Sequence, residues 1–130
     1  MNNLSHSERV DALIQHFWKS GYLTLRRKFG TYLPEPETMG KYEIDALGKF
    51  KKSNYAIGIT LTGEDLNNKD IINKLEYLAT RHTKYTNKNV KLFVAVPRDA
   101  IISAKIILLN LTEEARKNIK LAPISTETVN

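Results

Sequence analysis

The chain contains no cysteine, which excludes a disulfide framework, a thiol nucleophile and a thiolate metal site. No apolar run approaches the roughly 20 residues of a membrane-spanning helix. The opening M-N-N-L-S-H-S-E lacks the apolar centre of a secretory signal. Its three histidines, His6, His16 and His82, have no metal-ligand spacing with one another, so they do not point to zinc. There is no internal repeat and no low-complexity tract. These absences lead to the expectation of a cytoplasmic protein with no membrane partner and no small-molecule cofactor.

What is present is an ordinary globular composition, 42% apolar and 26% charged over 130 residues. That fits a single α/β domain over residues 1–124, followed by a flexible tail at 125–130. Twenty basic residues against fourteen acidic ones give a net charge of +6, which raises a polyanion partner.

Ser5 or Ser7 can cap a helix whose apolar positions are Val10, Leu13, Ile14, Phe17 and Trp18, with Gly21 ending it. Residues 22–29 alternate as a half-buried strand with Leu23 and Leu25 inward. Two glycines and two prolines make residues 30–40 a loop. Residues 41–49 and 54–61 form two strands around a basic turn. A helical pattern opens at Gly63 and should run to about Tyr85. Residues 90–96 form the most apolar strand. Asp99 can cap a helix through residues 101–109, although that β-branched run also suits a strand. A helical turn at 112–117 and a strand at 119–124 complete the order. Three antiparallel strands, a crossover and a parallel fourth strand give a mixed sheet with helices on both faces.

Side chains alternate along a strand, so Lys41, Glu43 and Asp45 should share one face and Tyr42, Ile44 and Ala46 the other. Neighbouring carboxylates on one face repel and call for water, a cation or a basic partner. On the following strand Tyr55, Ile57, Ile59 and Leu61 belong to the core. The opposite face, Ala56, Gly58, Thr60 and Thr62, is small and nearly featureless.

This order, with S-E-R at residues 7–9, G-K-Y-E-I-D at 40–45 and Y-A-I-G-I-T at 55–60, resembles the PD-(D/E)xK, or restriction endonuclease-like, nuclease superfamily. It is nearest in flavour to archaeal Holliday junction resolvases and Mrr-type endonucleases, and the likeness spans about residues 5–97. The resemblance implies an α-β-β-β-α-β core and a DNA substrate. It implies Mg2+ or Mn2+ at an acidic pair, because phosphodiester cleavage needs charge neutralisation and an activated water. It also implies a homodimer. Carried over, Asp45 matches the motif's Asp and Glu8 the helix Glu, but the E-x-K positions fall at Gly58 and Thr60, so that motif is degenerate, and the small Ala56, Gly58 and Thr60 suggest a roomy groove there.

Three consequences stay open. A DNA-binding protein with a dead or weak site is one. A second is a nuclease with migrated groups: metal on Asp45 and Glu43, positive charge from Lys41, Lys49 or Lys51, and Glu64 or Asp65 as alternative acids. The third is a non-catalytic dimerisation module. Arg26, Arg27 and Lys28 on one strand, with Lys51 and Lys52 in the basic turn, are the DNA-backbone candidates and should flank the Asp45 face. Each feature also has a plain structural role: edge-strand charges for Glu43 and Asp45, a first-turn helix charge for Glu8, and close helix packing for Gly58 and Thr60.

Overall fold

The computed structural model describes residues 3–126. Helix α1 (His6–Lys19) begins with a capping box: Ser5 Oγ accepts from the Glu8 N–H, and the Glu8 carboxylate accepts from the Ser5 N–H at 2.9 Å. Beyond its C-terminal end, Gly21 turns the chain at φ 88°, where a side chain would be strained. Strands β1 (Leu23–Arg27), β2 (Ala46–Phe50) and β3 (Asn54–Thr60) form an antiparallel meander. Helices α2 (Gly63–Leu66) and α3 (Ile71–Ala79) then carry the chain to β4 (Lys91–Pro97), which runs parallel to β3. A short 3-10 turn, α4 (Ile101–Leu108) and α5 (Glu113–Lys117) lead to β5 (Ile119–Ile124), parallel to β4. The sheet has five strands in sequence order.

The element order and the mixed sheet agree with the sequence expectations, and residues 101–108 are helical. Several local expectations need correction. The helical pattern from Gly63 breaks at residues 67–70 and ends at Ala79 rather than Tyr85. Asp99 lies in the 3-10 turn and does not cap α4, whose N-cap is Ala100. Leu23 and Leu25 are exposed rather than inward, because β1 is an edge strand with a bulge between Thr24 and Arg26 that resets its alternation. Of the expected tail, only Ser125 and Thr126 lie among the described residues.

Two unlike cores flank the sheet. On one face Ile44, Ile57, Ile59, Leu61, Leu92, Val94 and Val96 pack with the apolar sides of α3, α4 and α5. On the other, Leu13 and Phe17 of α1 press into a floor of Ala46, Ala56, Phe93, Ala95 and Ala122. A Cβ on Gly58 would come within 2.8 Å of Leu13 Cδ2 and 2.9 Å of Phe17 Cζ. The small residues of β3 thus admit α1 at close range, and each large side chain so buried contributes about 1.5–3 kcal/mol.

Candidate functional site

Asp45 stands one residue before β2, at the end of the sheet where β3, β4 and β5 finish. The strand expected over residues 41–49 starts only at Ala46. Met39 and Tyr42 close a tight turn ahead of it, and a bend at Asp45 breaks the two-residue alternation. Ile44 and Ala46 therefore enter opposite cores rather than sharing a face. The same break separates the two carboxylates. Asp45 is 6% exposed, whereas the Glu43 side chain is 75% exposed and accepts from Lys28 Nζ at 3.2 Å.

The Asp45 backbone is tied on both sides: its N–H donates to Gly58 O, and its carbonyl accepts from Lys28 N–H, each at 2.9 Å. Its side chain is just as fully engaged. Oδ2 accepts from the Thr60 N–H at 2.7 Å and from Thr60 Oγ1 at 3.2 Å. Oδ1 lies 2.7 Å from His6 Nε2. A carboxylate can only accept, so Nε2 carries the hydrogen and Nδ1 is left as the ring's basic nitrogen. His6 is the first residue of α1, held in place by the capping box, and its ring meets Phe29 edge-on at 5.0 Å. The imidazole side chain is 39% exposed, so this is a buried carboxylate orienting a half-open base. Such a pair can hold or pass a proton at Nδ1.

His6 is not among the sequence candidates, because the three histidines have no metal-ligand spacing with one another. The available signal was its place directly after the helix cap, on the same turn as Glu8. Glu8 itself does not reach Asp45; its carboxylate closes the capping box. Thr60, where the resemblance would put a Lys, supplies the hydroxyl and N–H that satisfy Asp45. Gly58, where it would put an acid, lies beneath Leu13 and Phe17. The roomy groove expected over Ala56, Gly58 and Thr60 is filled by α1, and all three residues are buried.

These residues do not fit a hard divalent cation. Magnesium needs a near-octahedral shell of oxygens. Asp45 already accepts three hydrogen bonds and Glu43 points away. Among the described residues no group of three or more His, Asp or Glu side chains could hold a metal.

The basic candidates divide. Arg26, Arg27 and Lys28 do lie at the Asp45 end, but they are engaged. Arg26 donates to Glu35 O at 3.2 Å, Arg27 pairs with Asp11, and Lys28 with Glu43. Lys49, Lys51 and Lys52 lie elsewhere, because β2 carries them toward the opposite end of the sheet: at roughly 3.3 Å per residue Lys49 is about 13 Å and Lys51 about 20 Å from Asp45. The expectation that the basic turn flanks Asp45 is therefore corrected, and Lys49 cannot serve that carboxylate.

A second acidic group sits beside α3. Tyr42 OH donates to Asp70 Oδ2 at 2.9 Å and Asn73 Nδ2 to Oδ1 at 3.0 Å. The bond from Asn73 and then that from Tyr42 hold the Asp70 carboxyl below its ordinary range, while desolvation and this pairing push the Tyr42 hydroxyl up. Among the described residues no helix is long and apolar enough to cross a membrane. Comparison with family models, curated proteins and solved structures finds no match for the chain.

Proposed function

We propose that the chain is a DNA-binding domain on a restriction endonuclease-like scaffold, in which the catalytic positions have become structural. Support for the scaffold comes from the antiparallel meander followed by a parallel β4, with α1 packed across β3. The observation that carries the loss of metal catalysis is the closure of Asp45 by Thr60 and His6, with Gly58 sealed under α1. Support for a nucleic-acid partner comes from the net charge of +6.

A gel-shift titration of linear and branched duplexes at two salt concentrations tests the partner. Binding at low salt that falls steeply as salt rises is expected. No binding at low salt removes the proposal and leaves a protein-interaction module. Incubating supercoiled DNA with Mg2+ or Mn2+ tests the chemistry. Metal-dependent nicking that disappears in Asp45→Ala would restore the migrated-residue nuclease.

The His6–Asp45 pair favours a second reading, a metal-independent phosphodiesterase with His6 Nδ1 as general base. Cleavage that persists in chelator and is lost in His6→Ala selects it.

A further inference from the structure

We infer that nucleic acid is held at the end of the sheet remote from Asp45, by a phosphate-binding surface of Lys49, Lys51, Lys52 and Lys88. The inference rests on the DNA-binding reading above and names the surface that performs it.

Two separate stretches of sequence build this surface, and neither contains an acid. Residues 46–63 carry Lys49, Lys51 and Lys52; residues 77–91 carry Arg81, Lys84, Lys88 and Lys91. Strand register brings them together. The β2–β3 turn lies at the starting end of β3, and Ala56 of β3 pairs with Lys91 at the start of β4. The turn over residues 83–88, which precedes β4, therefore closes on the same end, where Lys88 Nζ donates to Ser53 Oγ at 2.8 Å. Between the two turns lies a broad, open depression of about 700 Å3. It is lined by Lys49, Lys51, Lys52, Ser53, Asn54 and Lys88.

A solvated lysine face is the common alternative, and the partners of these lysines argue against it. Among the described residues no ion pair involves any of the four, whereas Arg27, Lys28, Lys41 and Lys117 all have carboxylate partners. The Lys49 ammonium sits instead over the Tyr55 ring, 5.6 Å from its centroid, and that of Lys51 over the Phe50 ring at 5.2 Å. Lys51 takes a left-handed backbone at φ 57° at the tip of the turn. Clustered like charges with no acid among them repel one another, and a row of phosphates relieves that repulsion. Ser53 and Asn54 add neutral donors of the kind that contact phosphate and sugar. No groove-reading helix or strand projects here, so the contact is to the backbone and is indifferent to base sequence.

The test compares two variants of equal charge. One carries Lys49→Gln, Lys51→Gln, Lys52→Gln and Lys88→Gln. The other carries Lys19→Gln, Lys69→Gln, Lys74→Gln and Lys105→Gln, which lie away from the depression. Both are confirmed folded by thermal melting, and binding to a fluorescent duplex is followed by anisotropy over a salt series. At about 0.9 counterions per phosphate contact, the first variant should lower the slope of log K against log salt by about 3 to 4. It should weaken binding at least about tenfold at low salt, while the control stays within about threefold of wild type. Equal losses in the two variants overturn the surface and leave only net charge. Unchanged binding in the first variant overturns the surface while DNA binding stands. A wild-type chain that binds no duplex overturns both.

Discussion

The two ends of the sheet hold their charges in opposite ways. Where β3, β4 and β5 finish, the charged groups around Asp45 have partners: Asp45 with His6 and Thr60, Lys28 with Glu43, Arg27 with Asp11. Where β3 and β4 begin, four lysines surround an open depression with no carboxylate among its lining. The first end has the acids that a nuclease likeness leads one to look for, yet its charges are consumed in holding the fold. The second has neither carboxylate nor imidazole among its lining, yet its lysines have no ion-pair partner among the described residues. Which charges are free matters more to binding than where they are most dense in sequence.

The strongest way to break this comparison is to restore the motif. Gly58→Glu should cost more than about 3 kcal/mol, because the new side chain meets Leu13 and Phe17 and brings a charge into an apolar core. Gly58→Ala should cost about 1–3 kcal/mol by overpacking alone. Chemical denaturation measures both. A stable Gly58→Glu protein would mean that α1 can lift off β3 and that the groove exists after all.

Next in size is Asp45. Replacing it with Ala strands the buried Thr60 N–H, so a loss of about 2–4 kcal/mol is expected, with about 1 kcal/mol for His6→Ala. If Asp45→Ala were as stable as wild type, the carboxylate would not be structural, and a ligand role would return to the front. At the opposite end the four-lysine variant should melt at or slightly above the wild-type temperature, since it removes like-charge repulsion and no ion pair. A clear fall in melting temperature would show those lysines to be part of the fold.

The smallest effect concerns Asp70. Its carboxyl is held low by Asn73 and Tyr42, so the folded state binds a proton less readily than the unfolded chain does. That contribution is complete above the ordinary carboxylate range and is lost as pH falls through the lowered folded value. Denaturation midpoints at about pH 5 and about pH 3 should therefore converge slightly in Asp70→Asn relative to wild type. An unchanged difference would remove Asp70 from the acid response.

Much of the fold was legible in the sequence because local rules govern it. Ser5 and Glu8 announce a helix start through the capping box, and the run of small residues on β3 announces a face made for close packing. The site was less legible. A period-two reading carried Glu43 and Asp45 to one face, but alternation holds only while the backbone stays extended, and the bend at Asp45 ends it. His6 and Asp45 are 39 residues apart, so no local pattern connects them.

The sequence by itself determined the order of elements, the apolar face of β3, the start of α1 and the positive charge, since each depends on neighbours along the chain. Tertiary structure alone decided that Asp45 would be closed by Thr60 and His6, that Arg27 and Lys28 would be neutralised, and that Lys88 would join the β2–β3 turn. A charge becomes paired or free according to what lies within a few ångströms, and at those distances the partners come from strands and turns remote in sequence.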